Sequence, residues 1–285
     1  GEEGEEGEEE GGPWDAASYL QFVRLEASVF SLPNQTSVEE RQKIPPYVRG
    51  YGMGYRHMCR FFSGPVYSHP ALEGFEYIWR LDSDSFLLGP PTADPFQQME
   101  RRNASYAWTH AYRDEQMFVT GLWDTTRRFL SSRGIDEQVV HEIVPGDSTW
   151  PQTPMCFATN CFIARRAWFL TEAYSSYFRV LDASGGFYRY RWGDACVHML
   201  AVSSLLPRTS VIELRSIAYW HQGTVILPVS LRQAAKLLLP SAQLPPFAMH
   251  PEEEEEKEKE GKEEKEGKFW GKQRHLRHRL NCTVL

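Results

Sequence analysis

The sequence lacks a long apolar segment. Its 285 residues contain no uninterrupted apolar run of the length, about twenty residues, that a membrane-spanning helix needs. The N-terminus also lacks the pattern of a secretory signal peptide. If the protein is held in a membrane, we therefore expect its anchor to lie outside this chain.

Paired cysteine motifs are also missing. No C-x-x-C occurs, so the cysteines lack the spacing of a zinc site or of a thioredoxin-like redox centre. Their odd number leaves at least one thiol unpaired within the chain, and the sequence leaves the pairing of the others open. Three N-x-S/T sequons favour a secretory location. The cysteines are Cys59, Cys156, Cys161, Cys196 and Cys282, and the sequon asparagines are Asn34, Asn103 and Asn281.

The central part of the chain has no excess of either charge. The formal net charge of −7 arises at the ends, where residues 1–10 hold 7 Glu and residues 251–268 hold 10 Glu and 5 Lys. Residues 11–250 hold 22 basic and 21 acidic residues, so we expect no nucleic-acid surface. Low-complexity charged runs cannot bury a core. The composition thus predicts four parts: an acidic segment 1–12, a folded domain 13–250, a Glu/Lys-rich segment 251–268 and a basic segment 269–285.

The most informative motif is Asp82-Ser83-Asp84. It follows Phe75–Leu81, an apolar and aromatic run that predicts a buried strand. Two carboxylates this close cannot both be buried without a compensating cation. Hard oxygen ligands at a strand end suit Mg²⁺ or Mn²⁺ carrying a nucleotide diphosphate. The tripeptide by itself is more often a solvated turn or a helix cap.

A second motif is GGFYRYRWGD at residues 185–194. Its aromatic side chains, Trp192 among them, could stack on sugar rings, and Arg191 could neutralise phosphate. Asp194 could hydrogen-bond a sugar hydroxyl. The alternatives are aromatic residues of a core and, for Asp194, a helix cap.

Three other residues are candidate ligands. His221 follows a predicted strand over residues 211–220, and a neutral imidazole there could complete a metal site begun by Asp82 or Asp84. Arg56 and Arg60 lie on one short segment and could reach a diphosphate. A lone histidine is more often structural, and both arginines could instead form ion pairs.

Predicted strands and helices alternate along the chain. Asp94 followed by Pro95 has the pattern of a helix start, and similar apolar segments recur up to residue 221. This alternation predicts an α/β domain with a mostly parallel central sheet flanked by helices.

Five segments, in this order, resemble the fungal α-1,2-mannosyltransferases, the glycolipid 2-α-mannosyltransferase family. They are YRHMCRFFSG at 55–64, HPALEGFEYIWRLDSD at 69–84, DPFQQM at 94–99, LWDTTRRF at 122–129 and LDASGGFYRYRWGDACVH at 181–198. The resemblance covers about residues 47–221. It implies a GT-A type fold and transfer of mannose from GDP-mannose, with retention, to a mannosylated glycan acceptor in protein glycosylation. It also implies Mn²⁺ and a Golgi-lumen location, as a type II membrane protein if the full-length protein has an anchor.

The resemblance also assigns roles to residues of this chain. The family's E-P-D corresponds to Asp82-Ser83-Asp84, so Asp82 takes the metal-binding position, and its G-Y-x-H places His221 as a second metal ligand. Tyr55 and Asp194 fall at catalytic positions that line the sugar and acceptor side. Together with the candidates drawn above from the residues alone, the predicted substrate- or nucleotide-binding residues are Arg56, Arg60, Asp84, Arg191 and Trp192.

Two departures from the family leave an alternative open. The family's N-F-E-I stretch, whose glutamate is a candidate nucleophile, corresponds to Asn160-Cys161-Phe162-Ile163, so a phenyl ring replaces that carboxylate. From the extent of the resemblance we also expect the N-terminal part of the nucleotide-binding unit to be missing from this chain. The alternative is a catalytically inactive or truncated sugar-binding relative. A phosphatase using the first Asp of D-x-D is disfavoured, because Ser85-Phe86-Leu87 follows the motif.

Overall fold

The computed structural model describes residues 21–33, 36–142, 150 and 152–228. The predicted low-complexity segments 1–12 and 251–268 and the basic segment 269–285 lie outside these residues. Within the part that the structure describes, no helix combines the length and the apolar character needed to cross a bilayer.

Helices and strands alternate as the sequence predicts. The α-helices are α1 (Val38–Gln42), α2 (Met53–Ser63), α3 (Pro95–Arg101), α4 (Leu122–Ser132), α5 (Arg166–Phe169), α6 (Glu172–Ser184), α7 (Gly186–Arg189) and α8 (Asp194–Leu205). The strands are β1 (Tyr77–Leu81), β2 (Ser85–Leu87), β3 (Tyr106–Trp108), β4 (Ala111–Arg113), β5 (Met155–Phe157), β6 (Cys161–Arg165), β7 (Val211–Glu213), β8 (Tyr219–His221) and β9 (Thr224–Ile226). Short 3-10 helices occur at Ala27–Phe30, Pro65–Ser68, Pro70–Leu72, Gln116–Val119, Glu137–Glu142 and Arg208–Ser210.

The central sheet has the strand order β1-β6-β3-β7. Strands β1, β3 and β7 run in one direction, and β6 lies between β1 and β3 in the opposite direction. The prediction of a mostly parallel sheet is therefore right for the direction of most of these strands but wrong for their pairing, since only β3 and β7 form a parallel ladder. The reason is that β6 enters the sheet from the opposite end, after the two-stranded β4–β5 ladder.

A small antiparallel sheet, β2-β8-β9, brings the end of the described chain to the Asp82 motif. In its register Ser85, which lies three residues after Asp82, pairs with His221. The turn from β8 to β9 contains Gln222 and Gly223 at φ values of 46° and 88°. Two left-handed residues in a two-residue turn are typical of a tight hairpin. The predicted single strand over 211–220 is thus wrong, since β7 and β8 belong to different sheets.

Helix α8 lies at the centre of the core. Its first ten residues are all buried, as expected for a helix that is apolar on every side. A disulfide between Cys156 and Cys196 joins β5 to this helix, while Cys59 and Cys161 are free and buried. Cys282 lies outside the described residues.

The sequence suggests that Asp94 and Asp194 are the N-terminal caps of helices. Asp94 caps α3 as expected, because its carboxylate accepts hydrogen bonds from the backbone of Phe96 and Gln97. Asp194, by contrast, is not the cap of α8. Gly193 occupies that position, and Asp194 is the first helical residue.

Candidate active site

Asp82, Asp84 and His221 lie together at one end of the central sheet. A possible ligand atom of each lies within 4.8 Å of those of the other two. A turn after β1, closed by a hydrogen bond from the Ser85 N–H to the Asp82 carbonyl at 2.9 Å, places both carboxylates beside β8. The β2–β8 ladder then fixes His221 opposite Ser85. The structure thus brings together the three residues that the sequence predicts as metal site.

This cluster is polar and partly open to solvent. His221 Nε2 lies 3.2 Å from Asp84 Oδ1, and the Gln222 amide donates to Asp84 Oδ2 at 2.8 Å. The hydrogen bond from Gln222 lowers the pKa of Asp84, burial opposes it, and His221 adds to the lowering. Asp84 is therefore held as a carboxylate and is already oriented by two neighbours.

The donor set fits a divalent metal ion such as Mn²⁺. Two carboxylates and one imidazole are hard and borderline ligands of the kind that Mn²⁺ accepts. A second grouping in the described ranges, Asp114 with Cys156 and Cys196, does not fit a metal, because both cysteine sulfurs are committed to the disulfide.

A cavity of about 650 Å³ opens from the metal candidates. Asp82 and His221 line one side of it, and Tyr55, Arg191 and Asp194 also line it. This volume lies within the range of about 300 to 1,000 Å³ that is usual for small-molecule sites. Residues far apart in the sequence therefore face a single cleft.

Arg80, which the sequence analysis did not predict, connects the metal candidates to Asp194. Its guanidinium donates to Asp82 Oδ1 at 2.9 Å and to Asp194 Oδ2 at 2.6 Å, and it stacks 3.8 Å above the ring of Phe62. Burial acts to lower the pKa of Arg80, but the two carboxylates raise it further, so the charge is retained. The signal was available, because residues two apart on a strand share a face.

Asp194 is ionised although it is only 5% exposed. Burial acts to raise the pKa of this carboxyl, but the charge of Arg80 and hydrogen bonds from Thr159 and Arg80 outweigh it and hold the pKa below its ordinary value. A carboxylate with a depressed pKa is a weak base that accepts hydrogen bonds readily. This suits it better to orient a hydroxyl group than to remove its proton.

Arg191 sits in an aromatic cage at the other side of the cavity. Its guanidinium carbon lies 4.2, 4.7 and 4.1 Å from the ring centroids of Tyr51, Tyr55 and Phe118. The guanidinium donates to the Tyr55 hydroxyl at 2.7 Å and lies 3.7 Å from Asp114. Burial is the main cause that raises the pKa of Tyr55, so its phenol stays neutral. Arg191 thereby fixes the orientation of Tyr55 at the cavity.

Trp192 is not placed to stack on a sugar. Its side chain is 1% exposed, and its indole N–H donates to the Thr120 carbonyl at 2.9 Å. It packs over Gly186 so closely that a Cβ atom there would lie 2.4 Å from the indole. The prediction that Trp192 binds substrate is therefore wrong, because its indole packs in the core and not in the cleft.

Arg56 and Arg60 are not available to a diphosphate. Arg56 is fully buried and donates to the backbone carbonyls of Tyr188, Pro45 and Pro46. Arg60 forms a two-point ion pair with Asp182 at 2.6 and 2.8 Å. The expectation that they bind phosphate is corrected, since one arginine holds loop backbone and the other forms the ion pair of the alternative interpretation.

Phe162 lies in the core immediately behind the site. It pairs with Arg80 across the β1–β6 ladder and is 1% exposed. Its ring stacks on Tyr106 at 5.3 Å and meets His198 edge-on at 5.2 Å. The position therefore offers no nucleophile and is filled by packed aromatic rings.

Comparison with known proteins agrees with this geometry. The model of the family "Glycolipid 2-alpha-mannosyltransferase" matches residues 16–234. The O-glycoside alpha-1,2-mannosyltransferase omh1 of Schizosaccharomyces pombe is 34% identical over 184 residues, which are 64% of this chain and 47% of the relative. The glycolipid 2-alpha-mannosyltransferase of Saccharomyces cerevisiae is 30% identical over 212 residues, 72% of this chain and 48% of the relative. The chain thus spans about half the length of these curated relatives.

Solved structures confirm the fold. The Mn/GDP form of core-mannan synthase A from Aspergillus fumigatus aligns with a TM-score of 0.63 and 28% identity, over 72% of this chain and 59% of that chain. The mannosyltransferase Ktr4p of Saccharomyces cerevisiae in complex with GDP aligns with a TM-score of 0.64 and 25% identity, over 72% of this chain and 56% of that chain. The expected α/β fold of the GT-A type is therefore confirmed, with a mixed rather than mostly parallel sheet, and the chain belongs to the glycolipid 2-alpha-mannosyltransferase family.

Proposed function

We propose that this chain carries a retaining α-1,2-mannosyltransferase site that moves mannose from GDP-mannose to a mannosyl acceptor. The observation that carries the proposal is the cluster of Asp82, Asp84 and His221 at the mouth of a cleft that also contains Asp194. The names of the relatives and the Mn/GDP form of one structural neighbour support the same donor and metal.

Asp82, Asp84 and His221 would hold Mn²⁺. When bound, the ion supplies positive charge that stabilises a departing diphosphate. The cavity needs such a charge, because Arg80 and Arg191, its two lining arginines, each lie beside carboxylates. The metal ion, rather than Arg56 and Arg60 as predicted from the sequence, would thus neutralise the diphosphate.

Phe162 bears on the stereochemical course. A retaining transferase can use two displacements through a covalent intermediate, and a phenyl ring cannot form one. We therefore propose a same-face course. The bond from the anomeric carbon to the diphosphate oxygen breaks while the acceptor oxygen bonds to that carbon on the same side. The acceptor proton passes to the departing diphosphate oxygen, and Asp194 orients the acceptor by accepting a hydrogen bond.

A secretory-pathway location, in the Golgi lumen, belongs to the same proposal. The disulfide between Cys156 and Cys196 supports it, because disulfides persist in oxidising compartments. Acceptors of protein glycosylation are presented there, which agrees with a mannosylated glycan as the second substrate.

The test is a transfer assay with the purified chain, GDP-mannose, Mn²⁺ and methyl α-mannoside. We expect transfer that chelation abolishes and metal restores, and that Asp82→Ala removes without unfolding the protein. Asp124→Ala, which removes an exposed carboxylate on α4, is the matched control and should transfer normally. A folded chain that binds mannoside without turning over GDP-mannose would contradict the proposal and would fit the inactive relative.

A further inference from the structure

The sequon Asn103-Ala104-Ser105 lies at the surface, where helix α3 ends and the chain turns toward β3. Asn103 is exposed and has a φ value of 45°, in the left-handed region that asparagine tolerates better than most residues. Its N–H donates to the Glu100 carbonyl at 2.9 Å, and the Ala104 N–H donates to the Met99 carbonyl at 2.8 Å. These two bonds form a Schellman turn, which closes many helices. The turn explains an asparagine at this position, but it does not require a serine two residues later.

The hydroxyl of Ser105 has no hydrogen-bond partner in the part of the chain that the structure describes. The fold uses the backbone of this residue instead. Its N–H donates to the Ser210 carbonyl at 2.7 Å, and its carbonyl accepts from the Arg165 N–H at 2.9 Å. An N-glycosylation acceptor requires a hydroxyl two residues after the asparagine. The sequon therefore gives the Ser105 hydroxyl a use that the fold does not.

The side-chain amide of Asn103 leaves its nitrogen free. Arg165 Nη2 lies 3.4 Å from Asn103 Oδ1. A guanidinium only donates hydrogen bonds, so the amide atom that faces it must be the oxygen. Nδ2 is then on the other branch of the amide, where no described residue contacts it through a hydrogen bond. Because N-linked glycans are attached to this nitrogen, the acceptor atom is available at the surface.

The sequon lies at the opposite end of the central sheet from the candidate active site. Arg165, which contacts Asn103, pairs with Tyr77 at the start of β1, whereas Asp82 follows the last residue of that strand. At about 3.3 Å per residue, the five residues of β1 separate these two levels by roughly 16 Å. A glycan on Asn103 would therefore project from the end of the sheet that is remote from the cleft and would leave the cleft open to substrates.

We propose that Asn103 is a site of N-glycosylation in the secretory pathway. Its amide nitrogen receives an oligosaccharide from a lipid diphosphate, in a reaction that a separate transferase catalyses. The bond between the anomeric carbon and the diphosphate oxygen breaks, and the bond between that carbon and Nδ2 forms. The amide nitrogen gives up one proton, and the lipid diphosphate leaves. The secretory location rests on the proposed function, whereas the modification needs no activity of this chain.

The test is expression of the chain in a eukaryotic cell behind a cleavable secretory leader, followed by mass spectrometry. Asn34→Gln and Asn281→Gln together remove the other two sequons of the sequence. We expect the tryptic peptide 103–113 to carry a glycan, and an amidase that releases N-glycans should leave Asp in place of Asn103. Cleavage of the leader shows that the chain has entered the lumen. An unmodified Asn103 in a chain that has lost its leader would overturn the proposal.

Substitutions of Ser105 distinguish the sequon from the turn that contains Asn103. Ser105→Ala keeps the asparagine and its turn but removes the hydroxyl, so we expect complete loss of the glycan. Ser105→Thr is the matched control, because it keeps a hydroxyl at the same position and should keep the glycan. A glycan on Asn103 that persists in Ser105→Ala would contradict the assignment of this triplet as the acceptor.

Two further variants separate this site from the proposed function. Asp82→Ala, which should not transfer mannose, is expected to carry the same glycan on Asn103. Asn103→Gln, which lacks the glycan, is expected to have the transfer activity of the glycosylated chain. If Asn103 is glycosylated and the chain transfers no mannose, the proposed function is wrong and the glycosylation site stands. If Asn103 stays unmodified in the lumen, the site is refuted whatever the transfer assay shows.

Discussion

The guanidinium of Arg80 lies 2.6 Å from the carboxylate of Asp194, and the same group also contacts Asp82 at 2.9 Å. One buried arginine thus connects the first residue of helix α8 to the end of strand β1. Since Asp82 belongs to the metal candidates and Asp194 faces the same cleft, Arg80 sets the distance between the metal candidates and Asp194.

Arg80 is therefore important for stability as well as for geometry. Arg80→Ala leaves Asp194 buried without its cation, and removing one partner of a buried pair costs about 3 to 5 kcal/mol. We expect a loss of that order in the free energy of unfolding, measured by urea denaturation. Arg127→Ala, which removes an arginine of the exposed ion pair with Asp124, is the control and should change the free energy little. An Arg80→Ala chain as stable as the control would refute the buried ion pair.

Phe162 gives a prediction about mechanism. Phe162→Leu keeps an apolar side chain in the core and should cost less than about 1.5 kcal/mol if the core repacks. Since the side chain has no chemical role in a same-face transfer, we expect turnover and retention of configuration to persist. Intact-mass analysis of the wild-type chain after incubation with GDP-mannose should show no added hexose. A trapped mannosyl-enzyme would contradict the same-face course.

His198 makes stability depend on pH. Burial lowers the pKa of His198 to about 4 although Asp194 opposes the shift. An unfolded histidine titrates near pH 6.5, so the neutral imidazole stabilises the fold fully above about pH 6.5. That contribution, on the order of 3 kcal/mol, is lost as pH falls from about 6.5 toward 4. We expect the unfolding free energy of the wild-type chain to fall more steeply in this window than that of His198→Gln, and parallel profiles would contradict this.

The disulfide between Cys156 and Cys196 gives a fourth prediction. It closes a segment of 40 residues and ties β5 to the helix that begins with Asp194. Cross-links of this kind contribute about 2 to 4 kcal/mol. We expect the double variant Cys156→Ala, Cys196→Ala to lose stability of that order and to lose transfer activity, because Asp194 is less well held. Peptide mapping without reduction should recover the two cysteines as one linked peptide, and separate peptides would refute the pairing.

The sequence predicts the metal candidates well because their signals are local. A strand followed at once by two carboxylates specifies where Asp82 and Asp84 lie. His221 is itself the last residue of the short strand β8 and is placed by its pairing with β2. Asp194 is likewise predicted as a site residue from its own motif. Its exact position, as the first residue of α8 rather than its cap, is not predicted. Asp82, Asp84 and Asp194 are each placed by their own segment.

The wrong predictions concern partners that lie far away in the sequence. In the sequence both arginines have no evident partner. In the fold Arg60 pairs with Asp182 of α6, and Arg56 donates to the carbonyl of Tyr188. Trp192 belongs to an aromatic motif, but the close approach of Gly186 turns its indole into the core. Periodicity and spacing describe neighbours along the chain, whereas these contacts depend on the tertiary packing of helices.

The most direct test of the central claim is calorimetric titration of GDP-mannose into the chain, with Mn²⁺ and after its removal. We expect binding that requires Mn²⁺ and that His221→Gln weakens strongly, because Asp82, Asp84 and His221 would together hold the ion that neutralises the diphosphate. Equal binding of GDP-mannose without metal, or by the His221→Gln chain in its presence, would contradict the assignment of this cluster as the metal centre.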